Sequence, residues 1–261
     1  MTDTTHLING AETPAASPAA SPAASTAGEA AASPLKGARI LVTGGASGLG
    51  AAVVEAAAGA GAVPLVLDRQ PAGEGQRGWT VDLSEREAAE AAVAQAAEEM
   101  GGLDAIVCAA GIDKCGELGE VPAEDWERVV RVNLLGTAAV VRAALPYLER
   151  SRGRVVTVAS TLGLRGAAGA TAYCASKFGV IGFSRALAAE LKGRVGVTTL
   201  IPGGMDTPFF DDRPEQYKPH DRTNLNRPSD VARSVLFALS QPPGCEVREL
   251  LVAGSMEDSW P

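Results

Sequence analysis

The chain has 261 residues, 46% of them hydrophobic, a net charge of -8 and a pI near 4.9. That composition suits one large core better than two, and the acidic balance leaves no basic face for nucleic acid or an anionic membrane. No uninterrupted apolar run approaches the roughly 20 residues of a spanning helix, and "MTDTTHLING" lacks the basic start and apolar core of a secretory signal, so a cytoplasmic protein is expected.

Residues 14–25 read "PAASPAASPAAS", and "AASP" returns at 31–34. Prolines at every fourth position break helices, and such small side chains cannot offset ordering entropy. Residues 1–35 are therefore expected to be a disordered leader, and 36–261 a single catalytic domain. Within that domain, "ARILVTG" (38–44) reads as a strand, followed by a helix closing on Gly59 and Gly61. Strands are expected at 63–68 and 78–83, then a helix opening with Ser84 as cap and Glu87 three residues on. A strand at 103–109 and one helix over 123–149 come next, then a strand at 153–160, a helix over 171–192 and a strand at 194–202. A helix over 228–239 and a strand at 246–253 close the chain. Apolar strands alternating with helices predict a doubly wound parallel sheet, the Rossmann fold, of about seven strands with helices on both faces.

Cys108, Cys115, Cys174 and Cys245 form no CxxC pair, and only His6 and His220 are present, so no metal site is expected. A Ser-His-Asp or Cys-His mechanism is disfavoured for the same reason. "TGGASGLG" (43–50) follows the first strand and opens the first helix. Glycines at 44, 48 and 50 let the backbone approach a pyrophosphate at a helix N-terminus, with Ser47 and Leu49 between them. Asp68 ends the second strand, about 20 residues beyond the loop, where a dinucleotide site takes a carboxylate for the ribose hydroxyls. Its charge repels the extra phosphate of NADP, so NAD is favoured, although Arg69 stands next to it.

Tyr173 and Lys177 are four residues apart and share one helix face. A neighbouring ammonium favours the phenolate and would lower the phenol pKa. Ser160 lies at the end of its strand and can hydrogen-bond a substrate oxygen, and Asn133 is a polar residue in an apolar helical run that could hold a water. Singly, each has an ordinary explanation: a half-buried aromatic beside a solvated lysine, a turn-forming serine, an asparagine bonded to its own backbone. Together with the glycine loop and Asp68, in this order, they point to a dinucleotide oxidoreductase.

On these residues, with Asp82-Leu83 and "PGGMDT" as Pro202, Gly203 and Thr207, the chain resembles the short-chain dehydrogenases/reductases, in their compact single-domain branch, over residues 36–253. The resemblance implies Tyr173 as acid/base, Lys177 as its activator and ribose ligand, Ser160 orienting the substrate and Asn133 anchoring a water. It also implies a cofactor site of Gly44, Ser47, Gly48, Leu49, Gly50, Asp68, Asp82, Leu83, Ala109, Gly111, Tyr173, Lys177, Pro202, Gly203 and Thr207. Asp82 would meet the adenine and Thr207 the carboxamide. One departure is visible: the family's Asn-Asn-Ala-Gly is here Cys108-Ala109-Ala110-Gly111. The implied reaction interconverts a secondary alcohol and a ketone with NAD(H), in a dimer or tetramer whose partner is a small alcohol or ketone. Rival readings are an NADPH-dependent 3-oxoacyl-thioester reductase and a non-catalytic dinucleotide-binding scaffold. Phe209 and Phe210 lie in the stretch that would cover the substrate.

Overall fold

A computed structural model describes residues 33–257. Of the expected leader, 1–32 lie outside the described residues; Leu35, at its far end, is buried. The elements are β1 (Arg39–Thr43), α1 (Gly48–Gly59), β2 (Val63–Asp68), β3 (Arg77–Thr80), α2 (Arg86–Glu99), β4 (Ala105–Cys108), α3 (Ala123–Val130), α4 (Thr137–Ser151), β5 (Arg154–Val158), α5 (Thr171–Glu190), β6 (Gly196–Pro202), α6 (Pro228–Leu239) and β7 (Glu249–Val252). The seven strands form one parallel sheet in the order β3-β2-β1-β4-β5-β6-β7. This is the doubly wound architecture expected.

Both faces of the sheet are covered, which is why its strands read as continuous apolar runs. On one face Leu41, Leu65, Leu67 and Ile106 pack on Ala89 and Val93 of α2, Val140, Ala144 and Leu148 of α4, and Leu187 of α5. On the other, Ile40, Val42, Val66, Val107 and Val156 pack on Val53, Val54 and Ala57 of α1 and Val231 and Val235 of α6. Alternate residues of β1 thus feed opposite cores, the period of two inherent to a strand.

Two local expectations differ. Strand β3 stops at Thr80, because Asp82 Oδ1 accepts both the backbone N–H (2.9 Å) and the hydroxyl (2.8 Å) of Ser84. That capture makes Ser84 part of a turn, and the cap position of α2 falls to Glu85, whose side chain makes no capping bond. The helix expected over 123–149 is also interrupted: Arg131–Gly136 form a π turn between α3 and α4. Gly136 lies so close to Leu83, in the turn after β3, that a Cβ would stand 2.7 Å from its carbonyl oxygen. Asn133 is drawn inward there, and single π turns of this kind accommodate one extra residue. The whole stretch Ala123–Ser151 is long and apolar enough to cross a membrane by length and composition, yet half of its most apolar window is buried inside the protein. It also carries Arg131 and Arg142, and it serves as a core helix.

Candidate active site

In a parallel sheet the carboxyl ends of all strands share one edge, and loops leaving that edge build the ligand crevice. The turn from β1 to α1 lies there. Gly44 has φ +70°, and a Cβ on it would meet Ala110 Cα at 2.8 Å, so glycine lets this turn lie against the end of β4. A Cβ on Gly50 would stand 2.0 Å from the Gly44 carbonyl oxygen, which welds the start of α1 to the turn. Ser47 caps α1 with extended backbone but gives no side-chain bond, leaving the first N–H groups of the helix to an anion. A Cβ on Gly48 would fall 3.4 Å from the Thr207 methyl, so Thr207 closes over the cradle. The Leu49 and Leu83 side chains are buried in the core, and only their backbone can face a ligand.

Asp68 Oδ2 accepts from Ala46 N–H (3.0 Å) and Oδ1 from Gln70 N–H (2.9 Å), placing the carboxylate against the glycine turn. Asp82 binds Arg128 of α3 at 2.6 Å as well as Ser84. Partial burial works to raise its pKa, but the Arg128 and Ser84 bonds outweigh it and hold the carboxyl at about 2. In place of the amides missing from Cys108-Ala109-Ala110-Gly111, the Thr43 hydroxyl accepts from Ala110 N–H at 3.1 Å. Pro202 ends β6, Gly203 N–H bonds Val252 carbonyl at 2.9 Å, and Glu257 accepts from Gly204 N–H at 2.7 Å.

Ser160, just past β5, is buried, accepts from Leu162 N–H (3.1 Å) and hydrogen-bonds Tyr173. Gly163 allows this approach, since a Cβ there would be 2.8 Å from the Lys177 carbonyl on α5. Lys177 is buried; its Nζ donates to the Val158 carbonyl at 2.8 Å and stands 5.5 Å from the Tyr173 ring centroid. Gly111 leaves room beside both Lys177 Nζ and Asn133 Oδ1, which a Cβ would meet at 3.6 and 3.5 Å. Asn133 accepts from Ile112 N–H (2.8 Å) and donates to the Ile112 carbonyl (2.9 Å) and Ser176 Oγ (3.0 Å). Both its amide hydrogens are used, so its side chain ties the π turn to the β4 loop and α5.

The expected lowering of the tyrosine pKa is not what the free protein displays. Tyr173 keeps some exposed surface, but burial of its phenol dominates and pushes it up to about 12, with Ser160 and Arg213 opposing and Asp113 adding to the rise. Burial lowers Lys177 to about 8, against a raising influence from Asp113. The two titrate in opposite senses. Between pH 8 and the ordinary lysine value of 10.5 the unfolded chain binds the extra proton, so stability contributed at Lys177 rises with pH; above pH 10 the Tyr173 contribution falls. Relative to Lys177→Met, the parent should therefore gain roughly 3 kcal/mol across the lysine window, read from urea midpoints at each pH.

Sequence reasoning does not single out Asp113 or Arg213, which form an ion pair of 2.7 Å beside this group. Their only signal is position: Asp113 follows Gly111 by two residues and Arg213 lies in the covering stretch. Among the described residues no group of three or more His, Cys, Asp or Glu side chains is placed to hold a metal ion.

The family profile described as short chain dehydrogenase matches residues 38–218. The chain belongs to the short-chain dehydrogenases. A mouse L-fucose dehydrogenase is 30% identical over 87% of this chain and 91% of its own length. A 3-oxoacyl-[acyl-carrier-protein] reductase of Thermotoga maritima is 33% identical over 79% and 92%. Among solved structures, the 3-ketoacyl-(acyl-carrier-protein) reductase of Brucella melitensis complexed with NADH superposes with a TM-score of 0.76 at 27% identity, covering 85% of this chain and 98% of that one. The fold is shared too by the ligand-free aldohexose dehydrogenase of Thermoplasma acidophilum, with a TM-score of 0.79 at 24% identity over 86% and 95%. As a short-chain dehydrogenase the chain is an oxidoreductase acting on CH–OH groups.

Proposed function

We propose that the protein interconverts a secondary alcohol and a ketone with NAD(H). The observation that carries this reading is the gathering of Ser160, Tyr173 and Lys177 at the carboxyl edge of the sheet, beside a glycine cradle that a single Cβ would fill. Those features fit a dinucleotide: backbone N–H groups at the start of α1 for the pyrophosphate, and Asp68 for the ribose diol. The bound nicotinamide would supply or accept the hydride. Ser160 orients the substrate oxygen, and Tyr173 moves the proton at that oxygen. Lys177, at 5.5 Å from the ring centroid, is the next group that can exchange a proton, and its ammonium would favour the phenolate alongside Ser160 and Arg213, while Asn133 holds the loop and helix that carry them. Leu49, Leu83, Ala109, Gly111, Pro202, Gly203 and Thr207 would line the cofactor mainly through backbone, with Asp82 at the adenine end.

Titration with NAD, NADH, NADP and NADPH, followed by a nicotinamide-absorbance screen of ketones and secondary alcohols, tests the reading. Productive turnover with NADPH alone would favour the thioester-reductase reading that the Thermotoga relative suggests. Asp68→Ala should weaken NAD by about tenfold, the loss of one or two charge-assisted bonds, while NADP gains relative to it. Equal loss for both dinucleotides would remove Asp68 from cofactor choice. The reading includes a cytoplasmic homo-oligomer: Phe178 on α5 is 48% exposed and Leu135 in the π turn 56%, apolar surface suited to self-association.

A further inference from the structure

The loop after β4 and the covering stretch 203–227 meet at a buried charge pair. Asp113 is 3% exposed and Arg213 15%, and their 2.7 Å bond joins residues 100 apart in sequence. Cys115 Sγ also donates to Asp113, at 3.2 Å. The Arg213 guanidinium carbon lies 5.0 Å from the Phe209 ring centroid and 4.6 Å from that of Phe210, and Phe209 in turn leans on Tyr173 with centroids 5.6 Å apart. Arg213 also reaches the Tyr217 carbonyl at 3.4 Å, and the Tyr217 ring rests where a Cβ on Gly169 would be. Three loops thus interlock beside the acid/base.

We propose that Asp113 and Arg213 are a positioning pair: the ion pair fastens the covering stretch to the β4 loop and thereby sets Phe209 against the Tyr173 ring. A buried pair is a poor stabiliser on its own, because desolvation offsets the attraction, so its presence here suits positioning better than stability. The two charges also reach Tyr173 with opposite sign, Asp113 disfavouring the phenolate and Arg213 favouring it. Ser160, Cys174 and Lys177 are the other polar or titratable groups around that ring. The inference rests on Tyr173 being the acid/base, but it is testable without turnover.

In a Tyr147→Phe, Tyr217→Phe background Tyr173 is the remaining tyrosine of the three in the chain. At one fixed alkaline pH where circular dichroism shows the fold intact, phenolate absorbance is compared between this parent, Asp113→Asn and Arg213→Met. Asp113→Asn should carry several-fold more phenolate than the parent, because release of the cover and loss of the opposing charge act together, and Arg213→Met should fall below Asp113→Asn, because there the release is offset by loss of a favouring charge. Both single variants should also be cut by trypsin several-fold faster at Arg222, since Lys218 is protected by Pro219. A phenolate fraction in Asp113→Asn no greater than in the parent or in Arg213→Met overturns the proposal, as does an unchanged cleavage rate at Arg222. Expected shifts in a protein that turns over no alcohol would leave the pair standing and fault the functional reading instead.

Discussion

Tyr173→Phe should cut turnover by about 10²- to 10⁴-fold, the range that a positioned general acid or base contributes, while dinucleotide affinity stays within about threefold of the parent. The physical reason is local. Only the hydroxyl is lost; the ring that Phe209 and Lys177 pack against is kept, so neither the lid nor the cradle is disturbed. The cradle lies on β1, α1, β2 and β6, all outside α5. Steady-state rates beside a fluorescence titration with NADH measure both quantities. Full activity in the variant would return Tyr173 to the status of a packed aromatic, and loss of dinucleotide binding with turnover would mean that the hydroxyl serves the cofactor before it serves the proton.

Gly50→Ala should be the most damaging of the small substitutions. Its methyl would be placed 2.0 Å from the Gly44 carbonyl oxygen and 2.5 Å from the Gly44 carbonyl carbon, both backbone atoms of the turn that the helix must touch. Nothing there is the free end of a flexible side chain, so the start of α1 has to move as a body. We expect destabilisation at or beyond the upper end of the usual ~1–3 kcal/mol for overpacking, together with loss of dinucleotide binding. Gly59→Ala, on the same helix but with nothing within 4 Å of its added methyl, is the control, and should be neutral or stabilising by up to about 1 kcal/mol. Urea unfolding of the two variants side by side checks the contrast; equal midpoints would mean that the turn yields where its geometry says it cannot.

The fold was legible because its signals are local or periodic. Runs such as "VPLVLD" need only be apolar on both faces to be read as buried parallel strands, and β2 begins and ends where that run does. The glycine turn was legible because its spacing encodes a backbone path. What could not be read were effects produced by distant residues. Ser84 has the sequence of a helix cap, but Asp82, itself held by Arg128 from α3, takes its bonds first. The π turn follows from Gly136 meeting Leu83 and Asn133 meeting Ile112 and Ser176, none of which a helical pattern contains. The direction of the Tyr173 shift depends on burial and on charges such as Asp113 and Arg213, none of which an i, i+4 spacing with a lysine contains. Asp113 and Arg213 were invisible for the plainest reason: nothing marks a pair 100 residues apart until the chain has brought it together.

Thr207 belongs to two regions at once. Its methyl borders the position of a Cβ on Gly48, and its carbonyl accepts from Arg222 at 2.9 Å, the same arginine that binds Asp206 and Asp211 within the covering stretch. Cradle and cover therefore meet at one residue, through which dinucleotide and substrate binding are expected to be coupled. Reciprocity then applies: whatever factor a bound dinucleotide contributes to substrate affinity, a substrate that draws the cover down must return to the dinucleotide. A substrate analogue that tightens NAD would in this way report cover closure without any chemistry taking place, and Arg222→Met, which cuts the link at Thr207 but leaves both pockets their own contacts, should bring that coupling factor close to one.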